Sequence, residues 1–218
     1  MPSQLRPPPV VVAALQLQVT LDGIEPPIWR RLWVEDTITL GRLHEVLQIV
    51  MGWQDYHLHQ FITGQRFDDQ IFYTPPWDDG FGDDAFIARQ RDETRVKART
   101  ILPLVGDSVT YAYDLGDSWE HTLLLEKVVL VNPMEQWLPW CIDGCRACPP
   151  EDVGGSGGYG RFLEATADPS HEDHASQVEW GGDFDPERFD RKAVNTALWW
   201  WAKARGRHRK LRPDLSDR

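Results

Sequence analysis

Residues 111–130, YAYDLGDSWEHTLLLEKVVL, decide how the chain is read. Aromatic and leucine/valine-rich runs flank a polar Asp-x-Gly-Asp centre, which is the pattern of two strands joined by a turn. With residues 115–118 as the turn, Asp114 pairs with Trp119 and Ala112 faces His121 across the ladder. Gly116 supplies the positive φ that such a turn needs. Asp114 and Asp117 accept hydrogen bonds from turn amides. A hairpin by itself requires neither Trp119 nor His121. The small Ala112 leaves room beside the imidazole, so a partner for His121 is expected.

Upstream, the period of the pattern changes twice. LQLQVTL (15–21) alternates with period two, and so does IWRRLWVED (28–36), with Ile28, Arg30, Leu32 and Val34 on one side. DGIEPP between them is a turn, so the two runs form a hairpin. In TITLGRLHEVLQIVMGW (37–53), Leu40, Leu43, Leu47 and Val50 fall at helical spacing. Thr37 or Thr39 suits the N-cap and Gly52 the C′ position. YHLHQFITGQRF (56–67) returns to strand. YTPPWDDGFGDDAF (73–86) is a solvated acidic loop without EF-hand spacing, and RTILPLVGD (99–107) is a short helical turn.

After residue 132 the pattern becomes irregular. CIDGCRACPPEDVGGSGGYG (141–160) reads as loop, followed by short helices at 159–167, 170–180 and 191–204, the last capped by Asp190. These periods predict an α+β fold. A mixed, mainly antiparallel sheet has a strand-strand-helix-strand start and helices mainly on one face. The expected organisation is a disordered lead at 1–9, a sheet domain at 10–132, a Cys/Gly/Pro-rich and helical region at 133–204 packed on it, and a basic tail at 205–218.

The chain has 218 residues and a net charge of −11. Residues 203–218 hold seven Lys/Arg and two Asp/Glu, so the remaining body carries −16. A body this acidic repels phosphate backbones, which argues against nucleic acid as its partner. The six apolar residues VVVAAL (10–15) are too short for a signal core or a membrane span. A cytoplasmic location is expected, and three closely spaced cysteines suit reduced thiols or metal ligands better than a disulfide framework.

Two sets of side chains point to sites. Trp53, His57, His59, Asp114, Asp117, Trp119 and His121 are expected to form one polar-aromatic groove suited to stacking and hydrogen bonding. His57 and His59, at i and i+2 of a strand, share a face and make half of a metal site that His121 and Asp114 would complete. In the C-terminal region, Cys141, Cys148, His171 and His174 are expected to hold a structural zinc ion, with Cys145 as an alternative ligand. His171 and His174 sit at i and i+3 of a helix start. GGSGGYG (154–160) lacks the P-loop lysine, and Glu151 and Asp152 beside it disfavour phosphate.

Several blocks together have a familiar look: PPIWRRLWV, LHEVLQIVMGW, HLHQF, YAYDLGDSWEHTLLLE, CPPEDVGG, and FDPERFD with a following VN. In order, from about residue 17 to 198, they resemble the plasmid pRiA4b ORF-3-like family. The resemblance implies a bacterial or archaeal α+β protein, sometimes linked to mobile elements and labelled resolvase-like, and it brings no settled activity. The residues do not suit a recombinase. There is no N-terminal serine flanked by arginines, and the last tyrosine is Tyr159. Three functions are carried forward: a non-catalytic module binding a protein or small ligand, which the residues favour; a metal-dependent hydrolase using His57, His59, His121 and a carboxylate; and an accessory role in DNA transactions. An open metal requires that those four side chains converge, whereas a binding module leaves at least one in a structural hydrogen bond.

Overall fold

A computed structural model describes residues 11–66, 68–76 and 84–205. The expected lead at 1–9, the basic tail beyond 205 and the middle of the acidic loop lie outside the described residues.

The first strand, β1 (Val12–Leu21), pairs antiparallel with β2 (Ile28–Glu35), as the period-two pattern requires. Leu15, Leu17, Val19 and Leu21 of β1 and Ile28, Leu32 and Val34 of β2 enter one core. The helix α1 (Leu40–Met51) follows and buries Leu40, Leu43, Leu47 and Val50, the stripe read from spacing. Thr39 is extended at the N-cap but makes no side-chain cap bond, and Gly52 closes the helix at φ 90° with its N–H on the Gln48 carbonyl.

Next come β3 (His59–Thr63), β4 (Ile71–Thr74), α2 (Asp84–Arg89), β5 (Gln90–Asp92) and α3 (Ala98–Ile101). The hairpin of the opening stretch is β6 (Ser108–Tyr113) with the long β7 (Trp119–Val131). After it lie β8 (Trp140–Cys145), α4 (Gly155–Ala167), α5 (His174–Gly181) and α6 (Arg191–Ala204). The eight strands form one sheet in the order β5-β4-β3-β6-β7-β1-β2-β8, antiparallel except between β4 and β5. The fold class is α+β as expected.

Three expectations need correction. The sheet does not end at 132: the segment read as loop from 141 supplies most of β8, the edge strand on β2. Its outward groups are covered by α6, where Asn195 accepts from the Cys141 N–H at 2.8 Å and donates to the Cys141 carbonyl at 2.9 Å. The ladder with β2 and that bidentate contact, and not periodicity, make a strand of a Cys/Gly-rich sequence. The β6–β7 register is also one residue off: Tyr113 faces Trp119, Ala112 faces Glu120 and Tyr111 faces His121. The turn therefore runs from 114 to 118, and its left-handed residues are Asp114 (φ 53°) and Ser118 (φ 55°), not Gly116. Finally, β3 begins at His59, so His57 lies ahead of the strand.

Asp190 caps α6 by accepting from the Ala193 N–H at 2.9 Å. Replacing Asn195 with leucine leaves both Cys141 backbone groups without their partner in a buried setting. About 2–3 kcal/mol should be lost, measured by urea unfolding. A loss under about 0.5 kcal/mol would mean that water takes over both bonds.

Candidate functional site

The residues of the expected groove divide among three environments. The first is a buried aromatic layer. Trp53 stacks on Tyr113 at 4.9 Å between ring centroids and meets His121 edge-on at 5.2 Å. Trp119 is only 2% exposed and His121 is fully buried. The partner expected for His121 is the Tyr111 carbonyl, 3.1 Å from Nδ1. Burial pushes the His121 pKa down to about 4, so the ring is neutral. Trp119 and His121 are thus core residues of the hairpin, out of a ligand's reach.

The second environment is a pocket of about 650 Å³ lined by His44, Asp55, His57, His59 and Glu93, among others. On its floor the His44 and His59 rings stack with centroids 3.3 Å apart and planes within 3°. His59 Nε2 lies 3.0 Å from Glu93 Oε2, and His44 Nε2 lies 2.8 Å from Asp55 Oδ1. Behind His44, Nδ1 meets the Tyr111 hydroxyl at 2.8 Å, and that hydroxyl accepts from the Gln48 side chain at 2.9 Å. The Tyr111 O–H then donates to Nδ1, which leaves the Nε2–H for Asp55. Burial, and next the neighbouring His59, push the His44 pKa down to about 4. His44, Asp55 and His59 bring ligand atoms within 4.8 Å of one another, so they are also a possible metal set.

The third environment surrounds His57. Its Nε2 lies 3.2 Å from Asp152 Oδ1, 3.6 Å from Asp114 Oδ2 and 3.8 Å from Glu151 Oε2. Asp114 uses its other oxygen on the amides of Gly116 (3.1 Å) and Asp117 (3.3 Å), the turn role expected of it. Asp117 differs from expectation: its Oδ2 accepts from Gly154 N–H at 3.0 Å, which ties the turn to the loop before α4.

His57, His59, His121 and a carboxylate therefore do not converge on one ion, because β3 starts at His59 and His121 points into the core. The hydrolase arrangement read from the sequence is not assembled. Neither is the zinc set. Cys141 and Cys148 are buried, with Cys141 Sγ 3.4 Å from the Asp143 carbonyl and Cys148 Sγ 3.7 Å from Met51 Sδ. Burial raises their pKa values to about 12 and about 11, which keeps both as thiols. Cys145 is exposed on β8. His171 Nδ1 accepts from Asp173 N–H, and His174 Nδ1 faces the Ala165 carbonyl at 2.8 Å. Among the described residues, no three of these five bring ligand atoms within 4.8 Å of one another. The loop is held by packing and backbone bonds instead.

Sequence reasoning passed over His44, Asp55, Glu93, Glu151 and Asp152. One signal was available for His44. With Gln48 it forms a polar i, i+4 pair beside the apolar stripe of α1, and both are buried. The loop carrying Glu151 and Asp152 is fixed by Gly158, where a Cβ would stand 1.9 Å from the Val153 carbonyl oxygen. Gly158→Ala should cost about 2–4 kcal/mol, read from thermal or urea unfolding. A neutral result would show that the loop moves freely.

No helix among the described residues is long and apolar enough to cross a membrane. The chain is 42% identical over 187 residues to the uncharacterized protein y4hQ of Sinorhizobium fredii, covering 85% of this chain and 88% of that protein. Its fold matches the crystal structure of MM3350 from Methanosarcina mazei, a protein of unknown function. The TM-score is 0.73 at 35% identity, over 83% of this chain and 97% of the other. The family model for plasmid pRiA4b ORF-3-like proteins matches residues 13–193, a span that takes in β1 through the start of α6 and every residue of the three environments above, and the chain belongs to that family.

Proposed function

We propose that this protein is a binding module whose pocket over His44 and His59 takes a small organic cation, an amine or a guanidinium. The observation that carries this reading is the pocket floor: two stacked imidazoles, each backed by a carboxylate, in a cavity large enough for a small ligand. Asp55 and Glu93 together outweigh Arg42, the cationic side chain on the same wall, and set the sign of the pocket. Glu45, also on its wall, is already paired with Arg205. Carboxylates accept from N–H donors, and a neutral imidazole face suits a flat cation. The same charges disfavour a phosphate backbone, which weighs against a role in gripping DNA here. His121, held by a backbone carbonyl in the core, fits a binding module better than a hydrolase.

Calorimetric titration with agmatine, which carries both an amine and a guanidinium, tests the reading. Saturable binding is expected, weakened at least tenfold by Glu93→Gln, a substitution that keeps the shape of this buried side chain. Absence of saturable heat, or equal affinity in the variant with its fold intact by circular dichroism, would overturn it.

A further inference from the structure

We infer that His57, Asp114, Glu151 and Asp152 form a divalent-cation site, separate from the pocket floor, that holds together the approach to β3, the β6–β7 turn and the loop before α4. Two of the sequence blocks singled out above, YAYDLGDSWEH and CPPEDVGG, have no stated reason to meet. The structure brings their carboxylates around a single nitrogen. Asp114, Glu151 and Asp152 each place an oxygen within 3.8 Å of His57 Nε2. His57 Nε2, Asp114 Oδ2 and Asp152 Oδ1 all lie within 4.8 Å of one another.

A second observation is independent of that spacing. His57 Nε2 and Glu151 Oε2 are shut off from solvent and make no hydrogen bond. Orphaned buried atoms of this kind are costly and ask for a missing partner. The Asp114 carboxylate is only 10% exposed, with Oδ2 turned toward the same point. The remaining acceptor capacity of these groups is accounted for: Glu151 Oε1 accepts from the Gln54 N–H at 2.8 Å and the Tyr113 hydroxyl at 3.0 Å, and Asp114 Oδ1 serves the turn. His57 Nε2, Glu151 Oε2 and Asp114 Oδ2 are left over.

The chemistry specifies the occupant. Three carboxylates packed against one imidazole carry excess negative charge in a partly buried place. A divalent ion offsets most of that charge at one point. One nitrogen and three oxygens form a mixed donor set that suits Mn²⁺ or Zn²⁺ better than an all-oxygen calcium loop. A cation about 2.1 Å from each donor places adjacent donors roughly 3.0–3.4 Å apart. Asp152 Oδ1 and Asp114 Oδ2 stand 3.2 and 3.6 Å from His57 Nε2 and lie within 4.8 Å of each other, while Glu151 Oε2 flanks that trio at 3.8 Å from the same nitrogen. Asp152 is 71% exposed on its side chain, leaving a water-facing side to the site. The site is distinct from the pocket floor, where the Nε2 of each histidine already has one carboxylate oxygen as its partner.

Mn²⁺ binding to the full chain at pH 7.5, followed by electron paramagnetic resonance and by calorimetry, tests this. One site is expected, with a dissociation constant in the micromolar range. Asp152→Asn is the chosen variant. The side chain is exposed and asparagine accepts its positive φ of 59°, so folding is preserved while a charged ligand is lost. It should weaken Mn²⁺ at least tenfold, and His57→Gln should do the same. Glu93→Gln, on the pocket floor, should leave Mn²⁺ affinity unchanged, which separates this site from the agmatine reading. No binding tighter than about millimolar, or equal affinity in the Asp152 and His57 variants, would overturn the proposal. Loss of Mn²⁺ on Glu93→Gln alone would place the ion at His44 and His59 and overturn it equally.

Discussion

Arg30→Met lowers the stability of the fold by about 3–5 kcal/mol, the upper part of the range for a single substitution, because it takes a buried charged donor away from three carbonyls. Arg30 sits on β2, in the position that alternation assigns to the core, and is 2% exposed. A buried guanidinium is tolerable only when its donors are used. Here Nε donates to the Val50 carbonyl at 2.7 Å, and Nη1 donates to the carbonyls of Trp29 and Cys145 at 2.8 Å each. Val50 lies in the last turn of α1, where a cation also complements the helix dipole. The plane stacks on Phe189 at 4.2 Å, and a Cβ on Gly144 would strike Phe189 and the Arg30 stem, so the stack has no slack. Methionine fills the volume but leaves three carbonyls unpaired. Lysine keeps the charge but cannot reach all three acceptors, so it should recover less than half of the loss. Urea unfolding of the three proteins measures this, and a methionine variant within about 1 kcal/mol of the parent would contradict it.

Stability should fall steeply as pH drops from about 6.5 toward 4. His44 and His121 are both held neutral in the fold, with pKa values lowered from 6.5 to about 4 by burial. The unfolded chain takes up both protons below pH 6.5, whereas the folded chain resists until about pH 4. The unfolded state therefore binds more protons in this window, and stability is full above 6.5 and lost on acidification. Each group contributes a slope of about 1.4 kcal/mol per pH unit, so the pair gives roughly 2.7. His121→Asn, whose amide can still donate to the Tyr111 carbonyl, should lower overall stability but halve the slope. Unfolding free energies at half-unit intervals from pH 7.5 to 4.5 test this. A flat profile above pH 5 would show that both rings are solvated, and half the slope that one of them is.

The parts of the fold legible in the sequence were those where one periodicity ruled. The β1–β2 hairpin, the stripe of α1, the Asp190 cap and the existence of the β6–β7 hairpin follow from local spacing. Legibility ended where tertiary contacts override local pattern. β8 has a loop-like composition and is made a strand by β2 on one side and Asn195 on the other. The hairpin register turned on which residues take positive φ. Asp114 and Ser118 do so, and the neighbouring glycine that drew attention does not. The same error hid the site. His121 lies across from Tyr111 and so points into the core. His57 falls before the strand and turns toward a loop about a hundred positions away. Glu93, held in the tight segment between β5 and α3, has no sequence signal at all. The cysteines misled because their spacing resembles a zinc knuckle, while the burial of Cys141 and Cys148 is what a small apolar side chain would show.

Where a ligand sits is the most direct test of the whole account, and the ring nitrogens can report it. The chain has seven histidines. A long-range proton–nitrogen correlation spectrum of ¹⁵N-histidine-labelled protein distinguishes their tautomers and follows each during titration with agmatine. The account predicts that the His44 and His59 nitrogens shift together and saturate, while His121 in the core and His171 and His174 beside α5 stay in place. Shifts confined to His171, which lines a second cavity of about 440 Å³ with Asp173 and Trp180, would contradict it, as would no histidine shift at saturating agmatine.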